Sequence, residues 1–125
     1  MKIRKAAIKD WPAIKKLLCE FPDKLMQKHL PKPSAFFVAI VDGKIVGCCA
    51  LDVYSKRLAE LRSLAVTKKS QGQGIASKLV AVCVAAARKK KIYEVLAISG
   101  SEKFFAKHSF HTFHQEKYAL LNILG

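Results

Sequence analysis

Leu64-Ala65-Val66-Thr67-Lys68-Lys69-Ser70-Gln71-Gly72-Gln73-Gly74-Ile75-Ala76 runs from an apolar stretch, through a polar turn with two glycines, into residues of helical spacing. A strand that ends in such a turn and opens a helix can aim successive backbone N–H groups at one point. The helix dipole adds partial positive charge at the same place. Gly72 and Gly74 let the backbone approach a ligand that a Cβ would block. The pattern suits a phosphate or pyrophosphate; a plain tight turn accounts for two glycines equally well. The spacing matches neither the Rossmann fingerprint nor the Walker A loop, which needs a Lys-Ser/Thr pair after its last glycine.

Ile75, Leu79, Val82, Cys83 and Ala86 recur at helical spacing from Ile75 to about Lys90. The run Arg88-Lys89-Lys90-Lys91 complements the dipole at that helix's end. Upstream, the apolar runs 35–41 and 44–54 flank Asp42-Gly43, a type I′ hairpin signal. Residues 58–66 make a third strand, and the three strands should form an antiparallel meander. Downstream, Tyr93 to Ile98 reads as a buried strand, Ser99-Gly100-Ser101 as a turn with a capping serine, and Glu102 to Lys107 as a short helix. Strand returns after Phe110, with Tyr118 to Leu124 closing the sheet.

At the start, residues 3–8 alternate weakly and read as a strand. Asp10 can cap a helix that has Pro12 in its first turn and buries Trp11, Ile14, Leu17 and Leu18. Phe21-Pro22 ends it, Asp23 to Leu30 reads as another short helix, and Pro31-Lys32-Pro33-Ser34 as a loop. The expected order is β-α-α-β-β-β-α-β-α-β-β in one domain over residues 1–125. The fold class is α/β (α+β): a mixed, mostly antiparallel sheet with one parallel β-α-β pair and helices on both faces.

Hydrophobic residues form 51% of the 125 and charged ones 26%, so a packed core is expected. No apolar run nears the roughly 20 residues that span a bilayer, and no signal-peptide stretch follows the basic start. A cytoplasmic protein with no membrane partner is the expectation. Cys19, Cys48, Cys49 and Cys83 form no Cys-x-x-Cys pair and read as buried, reduced thiols, with vicinal Cys48 and Cys49 on opposite faces of a strand. The net charge of +14 suits polyanions. It is spread along the chain without the Lys/Arg-and-aromatic motifs of nucleic-acid modules, so nucleic acid is disfavoured as a partner. His108, His111 and His114 recur every third residue, but in an extended segment that spacing does not converge on a metal, and no metal site is expected.

The segment Gln71-Gly72-Gln73-Gly74-Ile75-Ala76 resembles the pyrophosphate motif of the GNAT superfamily of N-acetyltransferases, Gln/Arg-x-x-Gly-x-Gly/Ala. Residues 59–66 resemble that family's fourth strand, and Phe104 to Phe110 its downstream aromatic segment. Gly47 to Leu51 and the Phe104-Phe105 pair are weakly similar to the N-acetylglutamate synthase-like branch. The resemblance covers nearly the whole chain in the family's element order.

The resemblance implies acetyl-CoA as cosubstrate and no metal. It assigns the N–H groups of Gln71, Gly72, Gln73, Gly74, Ile75 and Ala76 to the pyrophosphate, and Ser77 to a phosphate contact. It assigns the backbone of Leu64, Ala65 and Val66 to the pantetheine arm, with the Leu64 N–H polarising the thioester carbonyl. Phe105 stands beside the cofactor's sulfur, where the family commonly has a tyrosine as general acid. Glu60 matches the position often used as general base; the alternative is a structural glutamate paired with Arg57 or Arg62. Ser109 replaces a usual glycine. The chemistry implied is transfer of an acetyl group to a primary amine, with a small molecule such as an amino acid as acceptor. A protein or peptide amine, or a non-catalytic acyl-CoA-binding or regulatory module, are the alternatives. Arg57 and Arg62 could pair with an acidic substrate. An exposed closing strand makes a homodimer reasonable.

Overall fold

The structure is a computed structural model that describes residues 1–99, 101–112 and 119–123. Strand β1 is Lys2–Lys5, helix α1 Trp11–Leu18, strands β2 Phe36–Val41, β3 Lys44–Val53 and β4 Leu58–Val66. Helix α2 is Ile75–Lys89, followed by β5 Glu94–Ile98, α3 Glu102–Ala106, β6 His111–Thr112 and β7 Ala119–Ile123. The strands form one sheet in the order β1-β2-β3-β4-β5-β7-β6. Every neighbouring pair is antiparallel except β4 with β5, where α2 makes the crossover.

Each expected strand from residue 36 to 98 forms within a residue or two of its predicted bounds. Asp42 and Gly43 both take positive φ, 51° and 76°, the backbone a type I′ turn demands. Helix α2 ends at a left-handed Lys91, whose N–H bonds the Arg88 carbonyl at 2.9 Å. The sheet separates two apolar layers. Cys49, Leu51, Ala59, Leu61, Val66 and Val95 face α2 through Ile75, Leu79, Val80 and Cys83. Cys48, Ala50, Ala65, Phe36 and Val38 face Ile14, Leu17 and Leu18 of α1. Gly47 lets α2 sit close: a Cβ there would lie 3.0 Å from the Leu79 side chain and 3.2 Å from that of Ile75.

Four expectations are corrected. The first strand stops at Lys5. Asp10 precedes α1 but its side chain makes no cap for it. The carboxylate turns back instead, accepting from the Ala7 N–H at 2.7 Å and pairing with Arg4 at 2.7 Å. Residues 23–30 form turns, not a helix: one helical turn starts as Leu25 N–H bonds the Phe21 carbonyl, and His29 then takes a positive φ of 57°. Among the cysteines Cys19 is exposed, because it follows the last turn of α1. Gly100, His114, Tyr118 and Leu124, which the sequence reading used, lie outside the described residues.

Candidate active site

The sheet opens where β4 leaves β5. Strand β4 is nine residues long, yet its pairing with β5 runs only from Leu58↔Glu94 to Leu61↔Ala97. Strand β5 itself ends at Ile98, and on its other side β4 carries a bulge. Cys48 pairs with Ala65 and Ala50 with Arg62, so Cys49 stands opposite two residues, Ser63 and Leu64. Ser63 takes a positive φ of 55° there, and its carbonyl accepts from the Cys48 thiol at 3.4 Å. The extra residue reverses the strand's alternation: Ala59 and Leu61 face α2, whereas beyond the bulge Val66 does and Ala65 faces α1. Bulges bend and twist the strand that carries them, and residues 62–66 make no pair with β5.

Backbone groups in the opening are left to bind something else. The Thr67 N–H is spent on β3, bonding the Val46 carbonyl at 2.8 Å. Alternation therefore turns the Val66 peptide away from β3, and its carbonyl takes the side-chain amide of Gln71 at 3.0 Å. That bond staples the turn to the strand end. A short 3-10 turn, Lys68–Ser70, separates the two.

The turn then meets α2. Gly72 and Gly74 have φ of 81° and 80°, and a Cβ on either would meet nothing within 4 Å. Gly74 is the residue before the helix, no side chain caps it, and no acidic residue lies in the first turn. The first helical bond is Lys78 N–H to the Gly74 carbonyl at 3.2 Å, so the N–H groups of Ile75, Ala76 and Ser77 precede the ladder. Ile75 is buried, Ala76 and Ser77 are half-buried, and residues 71–74 are exposed. Lys68, Lys69 and Lys78 are exposed and in no ion pair among the described residues. A left-handed glycine turn, open in front, with free N–H groups and cations around it fits a pyrophosphate.

A polar floor lies next to the bulge, on the sheet face away from α2. Asp52 of β3 pairs with Glu60 of β4. The Tyr54 hydroxyl donates to the Glu60 carboxylate. Burial first, and Glu60 second, push the Tyr54 hydroxyl up to about 12, so it stays protonated. Neither arginine pairs with Glu60. Arg57 bridges to Glu94 at 2.9 Å and lies over the Tyr93 ring at 5.0 Å. Arg62 pairs with Asp52 at 3.1 Å and donates to the His29 carbonyl at 2.8 Å, which fastens the 19–32 connection beside this floor.

The structure thus brings Glu60, the bulge and the 71–77 turn onto one strand–turn–helix unit. It places Phe105 differently from an exposed contact: the ring is 5% exposed and packs edge-on against Phe104 at 5.0 Å and Phe110 at 5.3 Å. Ser99 is engaged by its own turn, accepting from the Ser101 N–H at 2.9 Å. Sequence reasoning missed Tyr54 as the partner of Glu60. Period-two alternation puts Asp52 and Tyr54 on one face, and pairing the 44–54 and 58–66 runs across their short connection would have brought Tyr54 to Glu60.

Comparison with known proteins agrees with this geometry. Residues 32–112 match the model of the acetyltransferase (GNAT) domain. The chain belongs to the GNAT family. It is 35% identical over 81 residues to an uncharacterized N-acetyltransferase, CT2212, of Chlorobaculum tepidum, covering 65% of this chain and 52% of that one. It is 34% identical over 116 residues to an amino-acid acetyltransferase of Mycobacterium tuberculosis, covering 86% of this chain and 67% of the relative. The chain thus spans about half to two thirds of the length of these GNAT relatives. Among solved structures, Rv2747 of M. tuberculosis in complex with CoA superposes with a TM-score of 0.91 at 25% identity over 100% of both chains. N-acetylglutamate synthase of Neisseria gonorrhoeae, complexed with coenzyme A and L-arginine, superposes with a TM-score of 0.83 at 26% identity, over 98% of this GNAT chain and 33% of that one.

Proposed function

We propose that this GNAT protein transfers an acetyl group from acetyl-CoA to a primary amine on a small molecule such as an amino acid. The observation that carries the reading is the stretch of β4 beside its bulge, residues 62–66, left without a β5 partner between Glu60 and the 71–77 turn. Bound there, acetyl-CoA supplies an activated acetyl thioester. The turn residues Gly72, Gln73, Gly74, Ile75 and Ala76 hold its pyrophosphate through backbone N–H groups, with Ser77 beside them; Gln71, whose N–H bonds the Lys68 carbonyl at 3.5 Å, holds the turn to the strand end through its side chain instead. The backbone of Leu64, Ala65 and Val66 lines the pantetheine arm in the opening. The Leu64 N–H donates to the thioester carbonyl, where negative charge develops.

Glu60 accepts the proton that an ammonium acceptor must lose before its nitrogen lone pair is available. Tyr54 holds that carboxylate in place across the strand pair. Phe105 carries no proton and contributes packing. The relatives that carry the name amino-acid acetyltransferase and N-acetylglutamate synthase favour an amino acid as the acceptor.

Buried Phe105, at the family's tyrosine position, favours one second reading: a module that binds acyl-CoA without turning it over. Thermal unfolding with acetyl-CoA, and with NAD and ATP as controls, tests the cofactor. A ligand at 100 times its dissociation constant adds about 2.7 kcal/mol to stability, a visible shift. A shift with acetyl-CoA alone, followed by thiol release with an amino-acid panel, supports the enzyme. A shift without turnover supports the binding module, and no shift at millimolar acetyl-CoA removes both.

A further inference from the structure

Glu20 lies just beyond α1, far in sequence from the cofactor turn, and its carboxylate is committed to the entrance of that turn. The Thr67 hydroxyl lies 3.0 and 2.9 Å from its two oxygens, and the Lys68 N–H donates to one of them at 3.3 Å. Lys68 begins the 3-10 turn that leads to Gln71. The turn is thus held at both ends, by Glu20 at the entrance and by the Gln71–Val66 bond at the exit.

This placement is electrostatically odd for an anion site. A carboxylate near a pyrophosphate repels it, and the effect grows where water is excluded. The repulsion is offset only if the charge does something for the turn. Charge-assisted bonds to a hydroxyl and a backbone N–H are among the stronger ones a side chain makes. Here they fix the first peptide of a segment whose later N–H groups must converge, and a turn ordered in advance loses less entropy when its ligand arrives.

We propose that Glu20 is a positioning residue for acetyl-CoA, clamping Thr67 and Lys68 so that the 71–77 turn is preformed for the pyrophosphate. The inference rests on the cofactor reading above. It differs from a charge effect in its prediction, since removing a repelling charge would tighten binding of an anion, whereas removing a clamp weakens it.

The test is calorimetric titration of the whole chain with acetyl-CoA and with S-acetyl-pantetheine, which carries the acetyl arm without the pyrophosphate. Wild type should bind acetyl-CoA more tightly. Glu20→Gln and Thr67→Val should each weaken acetyl-CoA roughly tenfold and leave S-acetyl-pantetheine within about twofold. The double variant should be no weaker than the worse single one, because both remove one clamp. Thr67→Ser, which restores the hydroxyl, should bind like wild type. Tighter or unchanged acetyl-CoA binding in Glu20→Gln overturns the clamp, as does equal weakening of both ligands. Lack of preference for acetyl-CoA in wild type removes the pyrophosphate reading and the clamp with it.

Discussion

The Tyr54 hydroxyl donates to the Glu60 carboxylate across the β3–β4 pair, on the sheet face that α2 leaves uncovered. A base that collects a proton from an incoming amine must be accessible yet fixed, and a cross-strand phenol supplies the fixing. Replacing Glu60 by Gln keeps the shape and removes the basicity. The expected result is a fall in kcat of about a hundredfold or more, with acetyl-CoA affinity unchanged by titration. A variant with wild-type turnover would remove Glu60 from the chemistry.

Tyr54 also marks an alkaline limit to stability. The folded protein keeps this hydroxyl protonated to about 12, against 10.0 for an ordinary tyrosine. Its contribution is complete below pH 10 and is lost as pH rises through about 12, because the unfolded chain releases the proton first. Denaturant melts of wild type and Tyr54→Phe should therefore converge as pH climbs across that window. Parallel curves would show that Tyr54 does not titrate differently on folding.

The Arg4–Asp10 pair sets an acid limit. Asp10 is pulled from 3.8 to about 2, first by the Arg4 hydrogen bonds and then by the Ala7 N–H. A lowered carboxylate contributes stability that is fully present above its unfolded value and fades as pH falls toward 2. The contribution is about 2 kcal/mol, since each unit of pKa difference corresponds to about 1.4 kcal/mol. Asp10→Asn should lower stability by that order at pH 7 and flatten the dependence between pH 5 and 2. An unchanged acid profile would place the acid sensitivity in other carboxylates.

Gly47 and Gly74 should respond differently to alanine. At Gly47 the added Cβ meets Leu79 and Ile75 side chains and, at 3.3 Å, the Ala65 carbonyl. Gly47→Ala should cost about 1–3 kcal/mol by overpacking, read as a lower Tm without ligand. At Gly74 the space is open but φ is 80°, so Gly74→Ala should cost about 1–2 kcal/mol of backbone strain. Its Cβ would also stand where the pyrophosphate approaches, so acetyl-CoA affinity should fall further than stability does. If Gly74→Ala binds acetyl-CoA as wild type does, the turn does not face the cofactor.

Arg62 should prove structural. Its guanidinium reaches Asp52 and the His29 carbonyl together, which one ammonium cannot reproduce. Arg62→Lys is expected to speed proteolysis within residues 21–32 several-fold while global Tm changes little. An unaltered cleavage rate, with a raised KM for an acidic acceptor, would instead make Arg62 a substrate ligand.

The elements decided by neighbours in the chain were legible at once. Asp42-Gly43 dictates its hairpin because few residue pairs accept two positive φ values. Helical spacing after Gly74 and strand composition before Thr67 marked the strand–turn–helix unit, where the two glycines and free N–H groups depend on local backbone alone. What tertiary structure decided is everything set by register between distant segments. The extra residue at Ser63 and Leu64 is visible only against Cys49, and the end of the β4–β5 ladder only against Ala97. Asp10 abandons its cap for Arg4, residues 23–30 give up a helix while Arg62 draws in the His29 carbonyl, and Glu20 finds Thr67. These are side-chain bonds between segments that meet only after the sheet has formed, and local propensity carries no information about which partner the sheet will bring within reach.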